Sequence, residues 1–169
     1  MHSNDAAAVS VEAIAREAGV GKQTIYRWWP SKGALLLEAL LDRARVVAPT
    51  PDTGDLEADL RVFLTNTFAG VADARPVLLG VLREARVDAE AMTLLGEFAA
   101  HRRAALRQIV AQARLRGECV DSTTAELVVD RLFGLLGYRL IFGNAALDKR
   151  TAARLAGLAV TQLRPQGIS

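Results

Sequence analysis

The sequence predicts an all-α protein: an N-terminal helix-turn-helix head followed by a C-terminal helical bundle. Three observations carry this. Alanine and leucine dominate a chain of 169 residues that is 51% hydrophobic and only 5% aromatic, and both are strong helix formers. Apolar residues recur at intervals of three and four, with no strand-like alternation and no internal repeat. Residues 10–37, SVEAIAREAGVGKQTIYRWWPSKGALLL, read as a short helix, a glycine turn, a second short helix and the start of a third.

The elements follow in order. Ser10 suits an N-cap, with Glu12 in the first turn for the helix dipole. Val11, Ile14, Ala15 and Ala18 then keep helical spacing. Gly19 ends this helix because glycine takes positive φ at little cost. Gly21 stands where the second helix starts, and Pro30 stops it, since the residue before proline disfavours the helical region. Ser31 caps a third helix with Leu36, Ala39 and Leu40 on its apolar side. The segment PTPDTGD, Pro49 to Asp55, holds two prolines, a glycine and no apolar residue, which marks a linker. Asp55 caps a helix carrying Leu56, Leu60, Phe63, Leu64, Thr67 and Phe68. Pro76 suits the first turn of a separate next helix, with Val77, Leu78, Val81 and Leu82. A long helix from about Ala89 carries Met92, Leu95, Ala99, Leu106, Ile109, Val110 and Ala113, and Gly117 ends it. Asp121 to Thr123 open the following helix, where Thr123 and Glu126 match a capping box. That helix, reaching Phe142, is apolar around most of its circumference and must be covered on two sides. A final alanine-rich helix spans Lys149 to Leu163. The expected division is a head over residues 1–48, a linker over 49–55 and a ligand-binding and dimerisation domain over 56–169.

Composition excludes several classes. With a single cysteine, Cys119, no internal disulfide forms, and a lone thiol fits a reducing cytoplasm; Cys119 reads as a small, partly buried apolar residue. The N-terminus MHSNDAAAV lacks the basic start and apolar core of a signal peptide. The longest apolar run, Leu132 to Tyr138, is far below the ~18–20 residues of a membrane span, so a cytoplasmic protein without a membrane partner is expected. There is no metal-ligand spacing, no Gly-rich phosphate loop and no Ser/His/Asp set, and only two histidines, one of them His2. No enzyme activity, metal or cofactor is expected.

Net charge is only +2, but its distribution is informative. From Gly19 to Leu37 there is no acidic residue, while Lys22, Arg27 and Lys32 supply positive charge, as phosphate contact requires. A recognition helix meets base edges with its N-terminal residues, here Lys22, Gln23 and Thr24. Lysine donates to guanine O6 and N7, and glutamine pairs bidentately with adenine. Tyr26 offers a hydroxyl one turn on, flanked by Arg27 and Trp28. Lys32 and Ser10 stand at helix starts, where they can meet the DNA backbone.

These residues resemble the TetR (tetracycline repressor) family of one-component regulators. The shared pattern is Ser10, Ala15-Arg-Glu-Ala-Gly-Val20, Thr24-Ile-Tyr26, Trp29 and Ser31-Lys32. Further along, D-T-G-D-L, A-R-L-R-G-E and Y-R-L-I-F resemble one actinobacterial-type subgroup of its ligand domains. The resemblance implies an all-α homodimer on a palindromic operator in double-stranded DNA, released by a small-molecule inducer. It implies Lys22, Gln23 and Trp28 as base readers, Ser10, Thr24, Tyr26, Arg27 and Lys32 as backbone contacts, and Trp29 in the core of the head. The family carries a further helix ahead of the motif, whereas nine residues stand before Ser10 here. Val11, Ile14, Ile25 and Leu36 are therefore expected to lack their usual cover, forgoing roughly 1.5–3 kcal/mol for each side chain left exposed. A second reading is a small-molecule binding or interaction protein whose truncated head no longer binds DNA.

For the body, the two last helices are expected to pair with their symmetry mates as a four-helix interface, with Leu132, Leu136, Arg139, Ala156 and Leu163 in it. Phe63, Phe68, Leu82, Met92, Phe98 and His101 are the expected lining of a pocket, and their character suggests a mainly apolar ligand.

Overall fold

A computed structural model describes residues 10–47, 50–119 and 122–164. Among these the chain forms helices α1 (Val11–Glu17), α2 (Lys22–Trp28), α3 (Lys32–Val47), α4 (Leu56–Ala85), α5 (Ala89–Leu115), α6 (Ser122–Phe142) and α7 (Lys149–Leu163), with no strand. Pro49, Asp121 and the Thr123 side chain, which the sequence placed in the linker and in a capping box, lie outside the described residues. The Glu126 carboxylate is engaged elsewhere, accepting two bonds from Arg107 at 2.7 and 2.8 Å.

The head is built by local chemistry. Ser10 is extended, and its Oγ accepts the Ala13 N–H at 3.1 Å. At the other end of α1, Gly19 takes φ +66°. The Val20 N–H returns to Ala15 O at 3.0 Å and the Gly19 N–H to Arg16 O at 3.2 Å, the paired bonds by which a left-handed residue closes a helix. The turn then delivers α2 directly from Gly21. Trp29, extended at φ −126°, ends α2 before Pro30, and Ser31 Oγ caps α3 by accepting the Ala34 N–H at 3.1 Å. Val11, Ala15 and Ile25 form the core of the head, with Ile14, Trp29 and Leu35 packed against them. Val11 and Ile25 are thus buried and Ile14 and Leu36 half-buried, in place of the exposure expected from the sequence.

The body centres on α4. The sequence predicted a break at Pro76, but α4 runs unbroken for 30 residues through it. Proline deprives the Ala72 carbonyl of its helical donor, and both residues lie on the exposed side of α4. Beyond the proline, Leu78, Val81 and Ala85 stay buried, and this packing holds the helix together. The body core draws Leu60, Phe63 and Phe68 from α4, Leu106 and Ile109 from α5, Val129 and Leu132 from α6, and Leu155, Ala159 and Leu163 from α7.

Two sets of polar contacts tie the ends of helices together. Buried Asp59 accepts from Thr53 N at 2.7 Å and Thr53 Oγ1 at 2.8 Å, and its other oxygen meets Arg116 at 3.5 Å. Arg116 also reaches Asp52 at 3.3 Å and Glu118 at 2.5 Å, and Glu118 in turn accepts the Leu56 N–H at 3.0 Å. The D-T-G-D-L lead-in of α4 and the A-R-L-R-G-E end of α5 are therefore two halves of one clamp. At the far end, Arg75 of α4 donates to Leu140 O at 3.2 Å, serving a carbonyl in the last turn of α6.

Candidate nucleic-acid interface and ligand cavity

Only Ile25 of α2 is buried; Lys22, Gln23, Thr24, Tyr26, Arg27 and Trp28 are all exposed. One inward side chain anchors the helix, and the rest of its surface is free to enter a groove. Trp28 is the most exposed large apolar side chain among the described residues of the head, at 73%. Its neighbour Trp29 turns inward against the head core, with Nε1 donating to Glu38 Oε2 at 2.5 Å. Consecutive tryptophans on a helix end point about 100° apart, which separates the two roles. Ser10 Oγ accepts from the backbone while keeping its own hydrogen as a donor. Half-buried Lys32 opens α3.

The structure adds a group that sequence reasoning missed. Lys22 is ion-paired with Glu12 of α1. The Lys22 hydrogen bond is the main reason the Glu12 carboxyl is held below its ordinary value. The N-terminal tip of α2 thus carries its own counter-ion. Glu12 was visible only as a favourable first-turn charge, because its proximity to Lys22 depends on how the turn folds back.

In the body, α3, α4, α5 and α6 enclose a cavity of about 390 Å³. Its walls are mainly apolar, with Leu40, Leu78, Leu82, Leu95, Phe98 and Phe133 among them. Of the six residues expected to line a pocket, Leu82 and Phe98 do so. Phe63 and Phe68 are instead packed into the body core at 1% exposure each. Met92 is half exposed and His101 is exposed; both lie on the solvent side of α5, away from its apolar stripe. The residue that does face the cavity beside His101 is Arg102, which is buried. The Cys119 thiol is half-buried, and burial pushes it up from its ordinary value, away from the reactive thiolate.

The residues expected at a subunit interface lie mostly inside the chain. Leu132, Leu136, Ala156 and Leu163 are buried within the chain's own core. Arg139 is used internally, donating to Ala146 O at 2.6 Å and Thr151 Oγ1 at 3.3 Å. The apolar surface left open is Leu127, Tyr138, Ile141 and Phe142 of α6 with Leu158 of α7.

An exposed reader helix carried on a small head, with a helical body around an apolar cavity, defines a helix-turn-helix regulator. The chain belongs to the TetR family. The profile described as "Bacterial regulatory proteins, tetR family" matches residues 1–39, and "Tetracyclin repressor-like, C-terminal domain" matches residues 50–159. The HTH-type transcriptional regulator Rv1556 of Mycobacterium tuberculosis is 34% identical over 151 residues, spanning 87% of this chain and 73% of the relative. AqdR of Rhodococcus erythropolis, another HTH-type transcriptional regulator, is 35% identical over 128 residues, 73% of this chain and 60% of its own. The crystal structure of the TetR family transcription regulator SCO0332 superimposes with a TM-score of 0.77 at 28% identity, covering 96% of this chain and 91% of that one. The flavonoid-responsive regulator FrrA shares the fold, with a TM-score of 0.64 at 20% identity over 94% of this chain and 88% of its own. The protein is a DNA-binding transcriptional regulator.

Proposed function

We propose that the protein is a dimeric repressor that holds a palindromic operator and leaves it when a small, mainly apolar molecule fills the cavity. One observation carries the coupling: Leu40 of α3 lines the cavity, and the same helix begins at Lys32 beside the reader. A ligand that presses on Leu40 presses on the element that positions the head. A ligand shifts a conformational equilibrium only by binding one state better, and a cavity shared between α3 and the body gives it that difference. In this reading Lys22, Gln23 and Trp28 meet bases. Ser10, Thr24, Tyr26, Arg27 and Lys32 meet phosphates.

The dimer is formed on the open face of α6 and α7. Leu127, Tyr138, Ile141 and Phe142 recur along α6 at helical spacing, and Leu158 of α7 is exposed as well. Exposed apolar side chains grouped in this way mark an association surface, and a second copy of the same patch is its simplest complement. No helix among the described residues is long and apolar enough to cross a membrane, consistent with work on DNA in the cytoplasm.

Sedimentation and footprinting test the reading together. The expected result is a dimer in free solution and two protected half-sites centred one helical turn, about 34–36 Å, or a multiple apart. A monomer protecting a single short site overturns it.

A further inference from the structure

We propose that the cavity takes a compact, mostly apolar monoanion whose charged oxygens are received by Arg102. This rests on the ligand-cavity reading above and adds the chemical class of the ligand.

Arg102 is only 7% exposed and forms part of the wall of an otherwise largely apolar cavity. It stacks over Phe63, 5.0 Å from the ring centroid, and its Nη2 donates to Thr67 Oγ1 at 2.9 Å. A guanidinium has five N–H donors, and the described structure assigns it one acceptor. Its neighbours on and near α5 are treated differently. Arg103 is paired with Asp130, Arg107 with Glu126, and Arg116 with Asp52, Asp59 and Glu118. Arg102 is the most buried of the four, and among the described residues no carboxylate pairs with it. Burial alone pushes its pKa down, yet a guanidinium stays protonated in proteins.

An unpaired buried cation is a strong penalty in the empty protein. An incoming anion relieves it through charge-assisted, bidentate hydrogen bonds. Thr67 helps: its oxygen accepts from Arg102, so its hydroxyl hydrogen is left to donate to the same anion. Asn66, one position away, adds a second polar group to the wall. The cavity's acidic residue, Asp73, is itself engaged and lies six residues beyond Thr67, about 9 Å along the axis of α4. Arg103, the other cation in the wall, is neutralised by Asp130. Apolar walls with one cationic fork fit a hydrophobic body bearing one carboxylate, sulfonate or comparable anionic group.

A matched pair of fluorescent probes tests this: 1-anilinonaphthalene-8-sulfonate and its neutral counterpart N-phenyl-1-naphthylamine, titrated into the full chain. Both are expected to bind, and the ratio of sulfonate to neutral affinity is expected to fall at least tenfold in Arg102→Met, with Arg102→Lys in between. Arg102→Gln, which keeps a donor for Thr67, gives the same comparison should the methionine variant lose its helical circular dichroism. If both probes bind and the ratio is unchanged by these substitutions, the anion proposal falls and the cavity reading survives. If neither probe binds, the cavity reading itself falls, and this proposal with it.

Discussion

Lys22 and Lys32 are both lysines at helix starts, but they sit in different surroundings and are expected to behave differently. Lys22 opens the exposed reader helix, so Lys22→Ala or Gln23→Ala should relax sequence preference and cost on the order of 1–3 kcal/mol at the specific site. Lys32 opens α3, and Lys32→Ala should weaken all sequences alike and flatten the salt dependence. Competition titrations against substituted operators separate the two. A change in preferred bases caused by Lys32→Ala would reverse the assignment. The Glu12–Lys22 pair adds a further expectation. Glu12→Gln removes an exposed carboxylate from beside Lys22, so affinity measured by anisotropy should rise for specific and non-specific DNA alike. A loss of affinity would show that Glu12 orients Lys22 rather than competing with phosphate. The exposure of Lys22, Gln23, Tyr26, Arg27 and Trp28 was legible in the sequence because a short helix anchored by one apolar side chain, Ile25, leaves the others outside. Arg102 was not. It occupies an apolar stripe with Leu95, Phe98, Ala99, Leu106 and Ile109 at three- and four-residue steps, a signal that was available, but a charged side chain between His101 and Arg103 does not announce burial.

At the scale of elements, the caps carried most of the information. Ser10, Ser31 and Asp55 each accept the N–H three residues on, and Gly19 and Gly117 take the positive φ that ends α1 and α5. Local chemistry determines such ends, so the sequence reveals them. Pro76 misled because a proline reports a lost hydrogen bond, whereas the packing that spans it comes from side chains several turns away. Replacing Pro76 with alanine restores a donor to the Ala72 carbonyl and should stabilise the chain by about 1–2 kcal/mol, read as a higher urea midpoint with an unchanged slope. A lower midpoint would mean that the proline fits a bend the body requires. The Asp59 clamp joins residues more than fifty positions apart, which no local pattern announces. Asp59→Ala leaves Arg116 and the Thr53 donors short of a partner, and should cost about 2–3 kcal/mol in the same denaturation experiment; a change within error would show that the clamp is incidental.

For the whole molecule, the placement of α6 decides what the surface is for. A helix apolar on nearly every side gives no period from which to tell its inner face from its outer one. The sequence therefore predicted two coverings and placed Leu132 and Leu136 in the second. The structure buries Leu132 and Leu136 and leaves Leu127, Tyr138, Ile141 and Phe142 outside. Stability should respond to acid in a predictable direction. Glu12 is held below the ordinary 4.5 by Lys22, Glu118 by Arg116 and Glu126 by Arg107. Asp148 is held below 3.8 by the Thr151 N–H. The folded chain therefore binds fewer protons than the unfolded chain as these groups titrate. Their contribution is complete above the unfolded values and is lost as pH falls through the folded ones, so Tm should be flat down to about pH 5 and decline below it. A Tm that rises on acidification would contradict these pairings.

The most direct measurement is an anisotropy titration of the purified protein against DNA from upstream of its own gene, repeated across a salt series with the wild type and Lys22→Ala. The expected result is tight, sequence-selective binding that weakens steeply with salt because phosphate contacts release counterions, with selectivity lost in the variant. Binding that is flat with salt, blind to sequence and unchanged by the substitution would contradict a reader built on α2.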